Sequence, residues 1–167
     1  MTAILDLQIA STGDNIPSQA DFQLWTDTVL THLNLTEREM TIRVVDEDEI
    51  QQLNHQYRGK DKTTNVLSFP FEQPALFLPA GITLDPASIS DEMPNLLGDL
   101  VVCTQVVATE AEQQNKIISH HWAHMIIHGT LHLLGYDHIE DDEADIMESL
   151  EITLLHKLAI DDPYQDH

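Results

Sequence analysis

Apolar and polar residues alternate along two stretches of the chain, ILDLQIA at 4 to 10 and MTIRVV at 40 to 45. This period of two is typical of strands that bury one face. Two more strands are predicted at 64 to 71 and at 96 to 103. Because Pro70 cannot donate to a strand ladder, we expect the third strand at an edge of its sheet.

Between and after these strands, apolar residues recur at helical spacing and predict five helices. They are predicted at about 18 to 33, 47 to 57, 104 to 115, 119 to 134 and 140 to 159. In the last helix the apolar residues at Ile146, Leu150, Ile152, Leu154 and Leu155 are interpreted as the buried stripe. This order of elements predicts an α+β fold, a mixed sheet covered by helices.

The chain has 167 residues, close to the usual size of one domain, so we expect a single domain over 1 to 167. The segment from 73 to 95 holds four of the seven prolines and little periodicity, and it is predicted to be a long surface loop. Cys103 is the single cysteine, which excludes an intramolecular disulfide and fits a reducing compartment. With no apolar run long enough to cross a bilayer, a cytoplasmic protein without membrane contact is expected.

The net charge of -22 is unfavourable to nucleic acid on average, because each phosphate that approaches meets like charge. Three of the seven basic residues, however, fall within one short stretch, at Arg58, Lys60 and Lys62. The positive potential is therefore predicted to be local, and we call these three residues the basic patch.

Histidines are concentrated in SHHWAHMIIHGTLHLLGYDH, which holds six of the ten in the chain. Four of them recur on one helical face, at His120, His124, His128 and His132. A lone helical histidine is usually structural, but this clustering favours a metal site. The helical rise separates His124 from His132 by about 12 Å, too far for one ion to bridge.

Two histidines one turn apart can converge on an ion, so a third ligand is expected from beyond the helix. Gly135 can end the helix in the left-handed conformation and let His138 fold back beside His128 and His132. Three imidazoles leave a fourth tetrahedral position open, which is typical of catalytic zinc. We therefore expect one zinc ion per chain on these three residues. His120 and His124 are then supporting or structural residues.

Asp137 is a candidate carboxylate for orienting a ligand, or else a simple turn residue.

The spacing resembles the metzincin peptidase motif H-E-x-x-H-x-x-G-x-x-H, but Gly129 stands where the motif has its general base. Peptide hydrolysis is therefore disfavoured. Cleavage of an RNA phosphodiester needs a cation for the developing charge, and the substrate carries its own 2′-hydroxyl nucleophile. Arg58 is the candidate catalytic arginine, although a solvated loop after a helix is the alternative interpretation of its surroundings.

Three stretches closely resemble the bacterial YbeY family of metal-dependent endoribonucleases: YRGKDKTTNVLSFPF from 57, LLGDLVVC from 96, and HWAHMIIHGTLHLLGYDHIEDDEADIMESLE from 121. The resemblance implies a zincin-like fold with a mixed four-stranded sheet flanked by helices. It implies zinc on His128, His132 and His138 and a functionally important Arg58. It also implies cleavage of single-stranded ribosomal RNA in 16S 3′-end maturation, rRNA processing and ribosome quality control.

The sequence departs from the family pattern in the longer segment from 73 to 95 and at Thr63, where many relatives have proline. Ribosomal proteins or the small subunit are expected partners, since an acidic protein needs local contacts to hold RNA. Two alternatives stay open. One is a zinc hydrolase of another bond, such as a metzincin-like peptidase, and the other is a non-catalytic ribosome assembly factor.

Overall fold

A computed structural model of the chain describes residues 3–13, 16–35, 38–70, 96–134, 136 and 141–160. The strands are β1 (Ala3–Ile9), β2 (Arg38–Val45), β3 (Val66–Pro70) and β4 (Leu96–Cys103). The helices are α1 (Gln19–His32), α2 (Glu47–Arg58), α3 (Thr104–Gln113), α4 (Ile118–Leu133) and α5 (Asp141–Lys157). These elements confirm the predicted order, with bounds that differ by one to a few residues.

The strands form one mixed sheet in the order β1-β2-β4-β3. The pairs β1–β2 and β2–β4 are parallel, whereas β3 runs antiparallel to β4. Pro70, opposite Gly98, therefore lies in an edge strand, where the missing N–H removes no bond to a further strand. This confirms the predicted α+β architecture and the edge position of the third strand.

Alternate residues of β4 separate the two faces of the sheet. Leu100 and Val102 belong to the main core, which α1, α4 and α5 complete around the buried Trp122. Phe22 of α1 meets the Trp122 ring edge-on, with ring centroids 5.8 Å apart. On the opposite face a smaller core lies under α2, formed by Val45, Ile50, Leu67, Val101 and Cys103. Helix α4 is thus held against the sheet along most of its length.

The last helix differs from its sequence interpretation. Its buried residues are Met147, Glu151, Leu154 and Leu155, whereas Ile146 is 55% exposed. The predicted stripe is therefore wrong at Ile146 and omits a charged residue that is fully buried. The buried positions still follow the helical period, but one of them is Glu151, which a search for apolar residues alone does not find.

Several sequence predictions fall outside the described residues. These are the loop from 73 to 95, the turn at Gly135, the candidate orienting residue Asp137 and the third predicted zinc ligand His138. Within the described ranges, no helix has the length and apolar character that a membrane span requires.

Candidate functional site

His128 and His132 lie one turn apart on α4, and their rings converge. The two Nε2 atoms are 3.0 Å apart, and the ring centroids are 4.5 Å apart in an edge-to-face arrangement. Both side chains are half-buried and line the same cleft. The structure therefore brings together the two histidines whose spacing predicted a shared ion.

Behind these histidines lies the carboxylate of Glu151 from α5. One of its oxygens is 2.5 Å from Nδ1 of His128, and the other is 3.5 Å from Nε2 of His124. Glu151 is fully buried and His124 is 7% exposed. Burial lowers the pKa of His124, an effect that the neighbouring Glu151 opposes. His124 thus lies behind the two cleft histidines, in contact with Glu151.

Other histidines of α4 face different surroundings. His120 borders a separate small cavity with Leu24 and Trp25 of α1, away from the cleft. His121 is 3% exposed, and its Nε2 lies 3.0 Å from a carboxylate oxygen of Glu110. The hydrogen bond with His121 lowers the pKa of Glu110. Of the four histidines spaced four residues apart, only His128 and His132 line the cleft. The orientation of α4 against its neighbours therefore decides which of these side chains reach it.

The cleft has a volume of about 680 Å³ and holds Arg58 together with His128 and His132. Its remaining lining comes from the edge strand β3, the turn before it and two tyrosines: Tyr57, Thr64, Asn65, Val66, Leu67, Ser68, Phe69 and Tyr136. Arg58 was predicted to act with the histidines although 70 positions separate it from His128, and the structure places it in the same cleft.

The chain after Arg58 is held by local hydrogen bonds. Gly59 caps helix α2: its φ of 70° is left-handed, and its N–H donates to His55 O at 3.1 Å. The side chain of the buried Asn54 donates from Nδ2 to Lys62 O at 3.0 Å, and the backbone carbonyl of Asn54 accepts from Lys60 N–H at 3.3 Å. The basic patch is exposed, but its backbone is anchored to α2.

An aromatic pair stands at the border of the cleft. Tyr57 is 61% exposed, and its ring meets Phe69 of β3 at a centroid distance of 5.2 Å. Both residues also line a second cavity of about 460 Å³ on the side of the sheet that carries α2. Asp99 of β4 lines that second cavity and not the cleft.

Gly129 marks a close approach of α4 to the sheet. A Cβ atom at this position would lie 2.8 Å from Cδ2 of the fully buried Leu100. The carbonyl of Gly129 also accepts a hydrogen bond from Ser68 Oγ at 3.3 Å. A side chain at this position would require Leu100 to shift, so the close approach of α4 to the sheet favours glycine here.

The donor set suits a divalent transition ion. Two nitrogens that are each roughly 2.0–2.1 Å from one tetrahedral zinc ion lie about 3.3 Å apart, close to the observed separation of the Nε2 atoms. A carboxylate on the far nitrogen of His128 is the usual support for a metal-binding imidazole. Among the described residues, no group of three histidine, cysteine or acidic side chains forms a complete site. The third predicted ligand lies beyond those ranges.

Glu151 is the residue of this site that the sequence interpretation missed. A signal was present, because Glu151 stands four residues after Met147 and four before Leu155, at the spacing of the buried stripe. A single acidic residue at an apolar position of an amphipathic helix indicates a partnered, buried charge.

The chain is similar to known proteins over most of its length. The model of a family described as Endoribonuclease YbeY matches residues 8–159. Endoribonuclease YbeY of Colwellia psychrerythraea strain 34H is 51% identical over 167 residues, which cover 98% of each chain. The solution structure of TM1509 from Thermotoga maritima covers 92% of this chain and 89% of its own, with a TM-score of 0.57 and 24% identity, and it supports the fold alone. Because the family model matches most of the chain and a relative covering 98% of it is 51% identical, this chain belongs to the YbeY endoribonuclease family.

Proposed function

We propose that the protein is a zinc-dependent endoribonuclease that cleaves single-stranded RNA, with roles in 16S rRNA 3′-end maturation, rRNA processing and ribosome quality control. It carries one zinc ion on His128, His132 and His138, works in the cytoplasm, and meets its RNA on the small subunit or with ribosomal proteins. The observation that carries the proposal is the convergence of two Nε2 atoms, 3.0 Å apart, in a cleft that also holds Arg58.

Each group in the cleft has a distinct task. Bound to the histidines, a divalent ion supplies a Lewis acid for a phosphate oxygen or for water. Arg58 binds the phosphate next to the cleavage position, because its planar guanidinium matches two phosphate oxygens and stays charged. Its charge also stabilises the extra negative charge that develops on the phosphate during cleavage.

The border of the cleft favours a single strand over a duplex. Tyr57 presents an exposed ring beside Arg58, and an unpaired base can stack on it whereas a paired base cannot. The basic patch adds a local positive potential next to this ring. Because the rest of the surface is strongly acidic, the affinity for naked RNA is expected to be weak. The attraction that the basic patch contributes should fall with added salt.

The peptidase alternative has one feature in its favour, since an extended peptide could lie along the edge strand β3 beside the histidines. Its chemistry, however, needs a carboxylate at position 129, and the Cβ atom of any side chain there would lie 2.8 Å from Cδ2 of Leu100. Phosphodiester cleavage requires no group at that position. The cleft therefore favours the nuclease.

The test compares cleavage of one RNA sequence in single-stranded and duplex form by zinc-loaded protein. His128→Ala is expected to abolish cleavage, and Arg58→Ala to lower its rate by about 100-fold or more, as for loss of one group that stabilises developing charge. His156→Ala and Lys157→Ala are matched controls, because both residues are exposed at the end of α5 and outside the cleft. They should cleave at the parent rate.

Two results would count against the proposal. Cleavage at the parent rate by purified Arg58→Ala would remove the assigned role of Arg58. If the parent protein binds small subunits but never cuts RNA in any metal-loaded form, the non-catalytic assembly factor is the better explanation. Metal analysis of freshly purified protein, followed by chelation and restoration with zinc, nickel or manganese, tests the choice of ion.

A further inference from the structure

Glu151 is a fully buried carboxylate on the apolar side of α5. Removing an ionised carboxylate from water is costly unless polar partners compensate for the lost hydration. In the same stripe, Met147 and Leu154 are apolar and equally buried. Burying the Glu151 carboxylate therefore costs hydration energy that apolar packing does not return. The polar contacts of its two oxygens can compensate for this loss.

Both oxygens of this carboxylate face imidazoles of α4. The contact with Nδ1 of His128 is short, at 2.5 Å, and the contact with Nε2 of His124 is longer, at 3.5 Å. His124 and His128 are one turn apart, with ring centroids separated by 6.2 Å, so one carboxylate spans them. The carboxylate is thus held in a defined orientation behind the cleft.

The short contact joins a carboxylate oxygen of Glu151 to Nδ1 of His128. An ionised carboxylate only accepts hydrogen bonds, so with Glu151 ionised Nδ1 of His128 is the donor. In a neutral imidazole the lone pair then lies on Nε2, the atom that is 3.0 Å from Nε2 of His132 in the cleft. A metal ligand must present a lone pair in this way, and the opposite tautomer would direct an N–H at the ion.

We propose that Glu151 is the positioning residue of the metal site: it selects the Nδ1-protonated form of His128 and holds the ring so that Nε2 faces the cleft. The second oxygen of the carboxylate lies 3.5 Å from Nε2 of His124, so the carboxylate is held between the two imidazoles. This inference rests on the proposed zinc site, but it concerns how the site is prepared and not the reaction that it performs.

A purely structural role for Glu151 in joining α4 to α5 is the competing explanation. The two explanations differ in what a substitution changes. If Glu151 only joins the helices, its loss should lower thermal stability and leave the zinc affinity of the folded protein unchanged. If it prepares His128, zinc affinity should fall even in variants that remain folded.

The experiment uses the full chain with Glu151→Gln and Glu151→Leu. Glutamine is nearly isosteric and its amide oxygen can still accept from Nδ1, whereas leucine removes the acceptor. Zinc affinity, measured by competition with a chromophoric chelator, should fall by about 10- to 100-fold in the leucine variant and by less in the glutamine variant. Met147→Ala is the matched control, because it weakens the same helix contact one turn away and should leave zinc affinity unchanged.

A second measurement does not depend on metal or RNA. Long-range ¹H–¹⁵N correlation in the metal-free protein reports the tautomer of His128 directly, and the parent should show hydrogen on Nδ1. In Glu151→Leu the signals should move toward the other tautomer. Hydrogen on Nε2 in the parent, or parent-like zinc affinity and tautomer in Glu151→Leu, would overturn the inference.

These results separate the inference from the proposed function. Zinc-dependent RNA cleavage together with unchanged affinity in Glu151→Leu would overturn the role of Glu151 alone. A second outcome is that Glu151→Leu binds zinc more weakly while the parent protein cuts no RNA. That outcome would support the role of Glu151 and remove the nuclease proposal.

Discussion

Replacing Gly129 with alanine tests whether α4 lies as close to the sheet as the structure shows. In a helix interior, alanine is favoured over glycine by about 1 kcal/mol. Here the new Cβ would be 2.8 Å from Cδ2 and 3.2 Å from Cδ1 of Leu100, well inside ordinary carbon–carbon contact. Overpacking of a filled core costs about 1–3 kcal/mol. We therefore expect Gly129→Ala to lower the free energy of unfolding by up to about 2 kcal/mol.

A double-mutant cycle isolates the overlap. Leu100→Val removes the two obstructing Cδ atoms and by itself should cost about 1 kcal/mol for the lost methylene. In that background, Gly129→Ala should stabilise the protein, so the two substitutions should couple by about 1–3 kcal/mol. Urea unfolding of the four proteins gives the coupling. If Gly129→Ala stabilises both backgrounds equally, the close approach, and with it the steric argument against a glutamate, is refuted.

Three further substitutions probe the cleft and its frame. Tyr57→Ala should raise KM for single-stranded RNA by about 5- to 150-fold, which corresponds to one lost stacking contact of about 1–3 kcal/mol. Tyr57→Phe keeps the ring and should have a KM near that of the parent. Equal KM values for the two variants would exclude stacking. Asn54→Ala removes the donor to Lys62 O and should lower the free energy of unfolding, measured with urea, by about 1–3 kcal/mol. A loss below about 0.5 kcal/mol would contradict the role of Asn54 in holding this turn. Hydrogen bonds from Ser11 and Gln105 lower the pKa of Asp46 from 3.8 to about 2, so its charged form stabilises the fold above pH 3.8 and that contribution disappears as the pH falls toward 2. The stability difference between the parent and Asp46→Asn should accordingly shrink between pH 4 and pH 2 in acid titrations of urea unfolding, and a constant difference would contradict the lowered pKa.

Local sequence patterns were enough to predict the helices and strands of this chain. Strand alternation and helical spacing arise from the backbone geometry of each element, so they are visible without knowledge of the fold. The same is true of the edge position of Pro70, which follows from its missing N–H, and of the convergence of His128 and His132, which follows from the helical repeat. The assignment of Arg58 to the same site came from the resemblance and from the chemistry of phosphate cleavage.

Other features depended on which faces meet in three dimensions. Glu151 lies far along the chain from His124 and His128, and only the packing of α5 against α4 brings its two oxygens to their rings. The sequence interpretation of α5 placed Ile146 in the core, although the rotation of the helix exposes it. A periodic pattern defines a stripe to within a residue or so, whereas the neighbouring elements decide which member faces inward.

By itself, the sequence determined the elements, the pair of histidines on one helical face, the local basic patch and the missing glutamate, because each depends on residue type and short-range spacing. Only the tertiary structure decided that Arg58, the edge strand and the two histidines share one cleft, that Glu151 lies behind His128, and that Gly129 is in contact with Leu100. Those relations join residues that are distant along the chain, and their distances are set by how helices and sheet pack together.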